Sequence, residues 1–118
     1  MLTVEINGNQ TAFRPGEPID GLAGWQLDDP PKGVEVRLFW QTAGKGTEDV
    51  SVVEAARFDG PAAVDAQTFH FTAPGGPLSY EGNLIELRWG VEVVARKVNE
   101  AARVSLVVSP DGEPVRAE

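Results

Sequence analysis

The stretch Asn83–Arg96, NLIELRWGVEVVAR, constrains the fold more than any other part of the chain. Ile85, Leu87, Trp89, Val91, Val93 and Ala95 fall on one side of a two-residue alternation. Leu84, Glu86, Arg88, Gly90, Glu92, Val94 and Arg96 fall on the other. Successive side chains of a strand point to opposite faces, so this period predicts a long strand with one buried and one mostly wet face. Such a strand needs neighbours to satisfy its backbone and a second apolar layer to cover its inner side.

The rest of the chain supplies candidates for both. Leu2, Val4 and Ile6 alternate in a short first strand, ended by the turn residues Asn7-Gly8-Asn9. Thr11–Arg14 is extended and broken by Pro15-Gly16; in Pro18–Leu27, Ile19, Gly21, Ala23, Trp25 and Leu27 share a face. After the loop Asp28–Gly33, Val34, Val36, Leu38 and Trp40 point one way and Glu35, Arg37, Phe39 and Gln41 the other. Gly44-Lys45-Gly46 makes a hairpin loop, and Glu48–Phe58 returns with Val50, Val52, Ala56 and Phe58 on one face. That face also carries Glu54, which breaks the pattern, while Val53 and Ala55 sit opposite. Gln67–Thr72 alternates Phe69 and Phe71 against Thr68, His70 and Thr72, and a last strand near Ala102–Ser109 turns Val104, Leu106 and Val108 inward. Glu48–Arg57 and Glu92–Ala102 also admit a helical reading, but β-branched runs and the alternation favour strand. The expectation is an all-β protein: an antiparallel two-sheet β-sandwich of about 7–8 strands, with a closed barrel as the alternative. One domain is expected over 1–109, followed by a polar, frayed tail over 110–118.

Composition narrows the function classes. The net charge of -8 is spread along the chain, with no basic stripe, so nucleic acid and anionic membrane are not expected partners. The absence of cysteine removes disulfides, thiol catalysis and Cys metal sites, and fits a reducing compartment. No basic-then-apolar leader opens the chain and no apolar run is long enough to span a bilayer, so a cytoplasmic protein is expected.

Candidate chemistry is sparse. His70 is the single histidine and sits on the polar side of its strand, which reads as a surface residue rather than a general base. Gly44-Lys45-Gly46-Thr47 lacks the spacing and the following helix of a phosphate loop, and reads as a hairpin. Asp28-Asp29 and Glu48-Asp49 are the best calcium candidates, since loop carboxylates at sandwich ends can chelate, but neither pair has the spaced ligands of a dedicated site. Trp25, Trp40 and Trp89 are each expected inward, and Phe39 is the aromatic expected at the surface. No catalytic, cofactor or metal residue is assigned, no cofactor is expected, and the residues alone do not locate a binding surface.

Two segments resemble one family. Phe13-Arg14-Pro15-Gly16-Glu17-Pro18-Ile19-Asp20-Gly21 is similar to the opening of arrestin-type sandwich domains. Ser79-Tyr80-Glu81-Gly82-Asn83-Leu84-Ile85, followed by Trp89 and Val91, is similar to a later segment of the same domains, and the two occur in the family's order. The resemblance implies an arrestin-like, immunoglobulin-like sandwich acting without catalysis as an interaction or scaffold domain. Arrestins carry two such sandwiches in tandem and this chain has room for one; their phosphate-sensing basic cluster has no counterpart here. The functional expectation is therefore a protein partner of unspecified identity, with self-pairing of two copies as one form of it. A carbohydrate- or small-ligand-binding sandwich is the alternative.

Overall fold

The computed structural model describes residues 1–44, 47–96, 98 and 100–116. Its strands are β1 (Leu2–Ile6), β2 (Ala12–Phe13), β3 (Pro18–Gln26), β4 (Gly33–Gly44), β5 (Thr47–Asp59), β6 (Val64–Thr72), β7 (Tyr80–Glu81), β8 (Ile85–Ala95), β9 (Ala101–Val108) and β10 (Val115–Arg116). A short 3-10 turn at Asn7–Asn9 is the one helical element among the described residues. Two sheets pack face to face. The smaller has order β1-β3-β6; the larger runs β10-β7-β8-β4-β5, with β9 also on β8 and β2 on β9. The fold is the expected antiparallel two-sheet sandwich, with two short parallel contacts, β2 on β9 and β10 on β7.

β8 is the hub of the larger sheet. One of its sides pairs along its whole length with β4, Val34 against Ala95 through Gly44 against Ile85. The other side is shared end to end, Tyr80 and Glu81 of β7 meeting Leu87 and Glu86, and β9 taking Trp89–Val94. Trp89, Val91, Val93 and Ala95 are buried as the alternation requires, while Leu87 is half-buried and Ile85 exposed. They pack with Val34, Val36 and Leu38 of β4 and Leu106 and Val108 of β9 against Leu2, Ile6, Ile19, Ala23, Trp25, Phe69 and Phe71 of the smaller sheet. Gly21 makes that layer fit: a Cβ there would stand 2.2 Å from the Glu5 carbonyl oxygen and 2.5 Å from Phe69 Cζ.

The larger sheet overruns the smaller. Its main strands are 11–13 residues long against 5–9 in the smaller sheet. The radius of gyration, 15.1 Å, exceeds the roughly 13.5 Å of a compact domain of this length.

Both family-like segments are joints. Gly16 N–H donates to the Ala73 carbonyl (2.7 Å), Ala73 N–H to the Glu17 carbonyl (2.8 Å), and Arg14 N–H to Glu17 Oε1 (2.8 Å), fixing the chain as it passes from β2 to β3. Ser79, 2% exposed, accepts from Val108 N–H at Oγ (2.9 Å) while its own N–H donates to the Val108 carbonyl (2.8 Å). Its carbonyl accepts from Val115 N–H (2.8 Å), and Val115 and Arg116, within the stretch expected to be a frayed tail, form β10 beside β7. Within β10 the sequence offers one apolar residue, Val115, to signal that return.

Candidate interaction surface

β5 is the longest strand whose second side is open: among the described residues it pairs only with β4. Half of its backbone N–H and C=O groups therefore face outward along a 13-residue edge. The pairing with β4 is regular from Asp59 to Glu54, then skips a residue, so that Leu38 faces Glu54 and Phe39 faces Val52. Val53 is the extra residue of a β-bulge, which reverses the phase of the strand. Ala56 and Phe58 lie inward opposite Val36 and Val34, whereas Val50 and Val52 lie on the outer face opposite Gln41 and Phe39. The sequence expectation that all four share one face is corrected here. Glu54 keeps the inner phase of Ala56 and Phe58, and Asp49 and Ser51 take that phase before the bulge. The result is an exposed apolar stripe: Val50 is 62% exposed, Val52 48% and Val53 44%.

Phe39 is also corrected. It occupies the outer face as expected but is only 6% exposed. Gly90, directly opposite on β8, leaves a slot for the ring; a Cβ at 90 would stand 2.8 Å from Phe39 Cζ. The Arg103 guanidinium covers the ring at 5.3 Å from its centroid. Around it the outer face is a lattice of ion pairs: Arg37 to Glu35 (2.6 Å), Arg57 to Glu35 (3.1 Å), Arg103 to Glu92 (2.9 Å) and Arg88 to Glu86 (3.1 Å). The hydrogen bond from Arg37, aided by the charges of Arg37 and Arg57 and opposed by partial desolvation, holds the Glu35 carboxyl below its usual range.

The remaining candidates do not converge. His70 pairs with Asp20 across β6 and β3 on the open outer face of the smaller sheet, both side chains exposed. Asp28 and Asp29 line a recess of about 560 Å³ at one end of the sandwich, in company with Lys32, Arg96 and Glu100. Glu48 and Asp49 lie at the other end of β5, opposite Ala43 and Thr42. β4 carries Gly33 at the first end and Ala43 at the second, about 33 Å away at strand rise. Among the described residues no three acids or histidines cluster as metal ligands. Lys45 and Gly46 of the glycine loop lie outside the described residues, but Gly44 and Thr47 pair as the end of a hairpin. Trp25 and Trp89 are buried, with Nε1 donating to the carbonyls of Ala62 (2.9 Å) and Pro77 (2.8 Å), and Trp40 is half-buried against the core. No described helix is long and apolar enough to cross a membrane.

No protein-family model and no curated protein matches the sequence. Among solved structures the chain is similar to Spo0M, the sporulation control protein of Bacillus subtilis, with a TM-score of 0.64 and 14% sequence identity. The match covers 92% of this chain and 48% of that one, so this chain spans about half the length of Spo0M. At that identity what the two share is the sandwich fold.

Proposed function

We propose that this is a non-catalytic interaction domain of arrestin-like type, which recognises a protein partner by strand addition at the β5 edge. One observation carries the reading: a 13-residue strand with an open backbone edge bears Val50, Val52 and Val53 exposed beside it. An added strand gains main-chain hydrogen bonds along such an edge and selects side chains at alternate positions. The fold shared with Spo0M, a sporulation control protein, agrees with a regulatory rather than a catalytic role. The chemistry agrees too, since a lone histidine on an open face and the absence of cysteine leave little for acid–base or nucleophilic work. The three tryptophans are inward, which does not favour the stacking platform a sugar-binding sandwich uses.

The test is capture of partners on tagged protein, followed by amide exchange on the purified complex. The expected result is protection of residues 47–59 and loss of binding in a folded Val50→Lys/Val52→Lys variant. Binding that leaves β5 unprotected and survives this variant would overturn the reading.

A further inference from the structure

We infer that the strand added to β5 is β5 of a second copy of this chain, paired antiparallel about a two-fold axis between Val52 and Val53, with Glu48 of each copy facing Arg57 of the other. The inference rests on the reading of β5 as the recognition edge and names its occupant.

Residues directly opposed across an antiparallel pair lie on the same face of the sheet. In β5 the outer face carries Glu48, Val50 and Val52 before the bulge and Ala55 and Arg57 after it; the inner face carries Asp49 and Ser51 before, and Glu54 and Ala56 after. The outer positions are thus even-numbered on one side of Val53 and odd-numbered on the other. A strand without the bulge pairs with itself in registers that oppose residues of like parity. With the bulge, face-matched registers oppose an even position to an odd one, which restricts the choice.

Charge then selects among them. In the inferred register Glu48 faces Arg57, Val50 faces Ala55, Asp49 faces Ala56 and Ser51 faces Glu54, so no like charges meet. Sliding the copies by two residues in one direction sets Asp49 against Glu54; in the other direction it sets Glu48 against Asp59. Both shifts place acid against acid, which opposes pairing in a chain of net charge -8. Arg57 is poised for a second carboxylate. Its Nε donates to Glu35 Oε2, its side chain is 74% exposed, and its two terminal nitrogens have no partner among the described residues. A guanidinium presents five donors in a fixed fork, so one Arg57 serves Glu35 and Glu48 of the other copy together. Val52 of each copy meets Val53 of the other at the centre and Val50 lies against Ala55, which gives partners to a stripe otherwise left in water.

Glu48 and Arg57 of one chain lie nine residues apart along a strand, about 30 Å, so they do not meet within a monomer. Any coupling between them therefore reports contact between copies. The experiment is sedimentation equilibrium of the whole chain from micromolar to millimolar protein, for wild type, Glu48→Arg, Arg57→Glu and the combined exchange. Wild type is expected to approach roughly 25 kDa, twice the 12.6 kDa chain. Each single variant sets like charges opposite one another twice over and is expected to weaken association by about tenfold or more. The combined exchange restores opposite charge and is expected to recover most of that loss. Glu48→Arg is the primary probe because Glu48 has no ion pair within the described chain, and circular dichroism melts establish that each variant is folded. A wild type that stays monomeric, a dimer indifferent to both single changes, or an exchange that fails to restore association would each overturn the inference. Monomeric protein whose β5 is still protected by a different protein would sink self-pairing alone; a β5 protected by neither would remove the recognition edge as well.

Discussion

Phe39→Ala is expected to destabilise the domain by about 3 kcal/mol. The ring is 6% exposed although it belongs to the outer, ion-paired face of the larger sheet. Truncation returns on the order of 120 Å² of apolar surface to water, which at about 25 cal/mol per Å² is about 3 kcal/mol. The Arg103 guanidinium, 5.3 Å from the ring centroid, adds roughly 0.5–1 kcal/mol of cation–π attraction that the variant also loses. The term for an enclosed cavity is small, because the slot is roofed by a flexible arginine that can fold into it. Urea unfolding followed by tryptophan fluorescence measures the change as a shift in midpoint at constant m. A loss under about 1 kcal/mol, which is the behaviour of an exposed outer-face side chain, would refute the burial argued from Gly90 and Arg103. A double-mutant cycle with Arg103→Ala isolates the cation–π part, expected at roughly 0.5–1 kcal/mol of coupling.

Other perturbations test other joints. Gly21→Ala places a methyl 2.2 Å from the Glu5 carbonyl oxygen, so the β1–β3 backbone must part; the expected cost is at or above the ~3 kcal/mol end of the overpacking range, read by thermal denaturation. Ser79→Ala leaves the Val108 N–H without its acceptor inside the protein, with an expected loss of about 1–3 kcal/mol and faster amide exchange at Val108. Glu35, whose carboxyl titrates below its usual value because of Arg37 and then Arg57, contributes stability that is present above the unfolded pKa and lost as pH falls through the folded one. Denaturant midpoints taken between about pH 5 and pH 3 should therefore fall more steeply for wild type than for Glu35→Gln.

The periodic parts of the chain were legible because each face meets one environment. The inward row of β8, from Trp89 to Ala95, and the Phe69/Phe71 pair of β6 are buried as their alternation required. Of the three two-residue strands, β2 was legible as the extended run Thr11–Arg14, whereas β7 and β10 were not. All three are held by a few backbone contacts to distant segments, such as Val107 N–H to the Thr11 carbonyl and Val115 N–H to the Ser79 carbonyl, and local periodicity carries no record of those partners. β5 failed for a different reason. One inserted residue reversed its phase, and the inserted residue, Val53, is chemically like Val50 and Val52, so nothing in the local pattern marked the change. Phe39 failed because its burial depends on an absence, the missing side chain of Gly90, which becomes visible only once the β4–β8 register is known. The edge proposed for recognition thus lies where the pattern is least regular.

The arrangement around β8 also bears on how the chain reaches its native state. β4 and β5 form a hairpin closed by Gly44 and Thr47, and β8 and β9 form another that brings Val94 to Ala101. Both can zip from nearby residues. The central pairing of β4 with β8 is of another kind: Gly44 meets Ile85 and Val34 meets Ala95, separations of 41 and 61 residues. Non-local pairing of that extent places a sandwich among the slow folders, on a scale of milliseconds to seconds. The two hairpins are expected to form first and dock later, so the valine-bearing strand is on display before the core that supports it is complete. Charged residues at both ends of that strand, Glu48 and Asp49 at one and Arg57 and Asp59 at the other, then act during folding as gatekeepers that discourage mispaired registers.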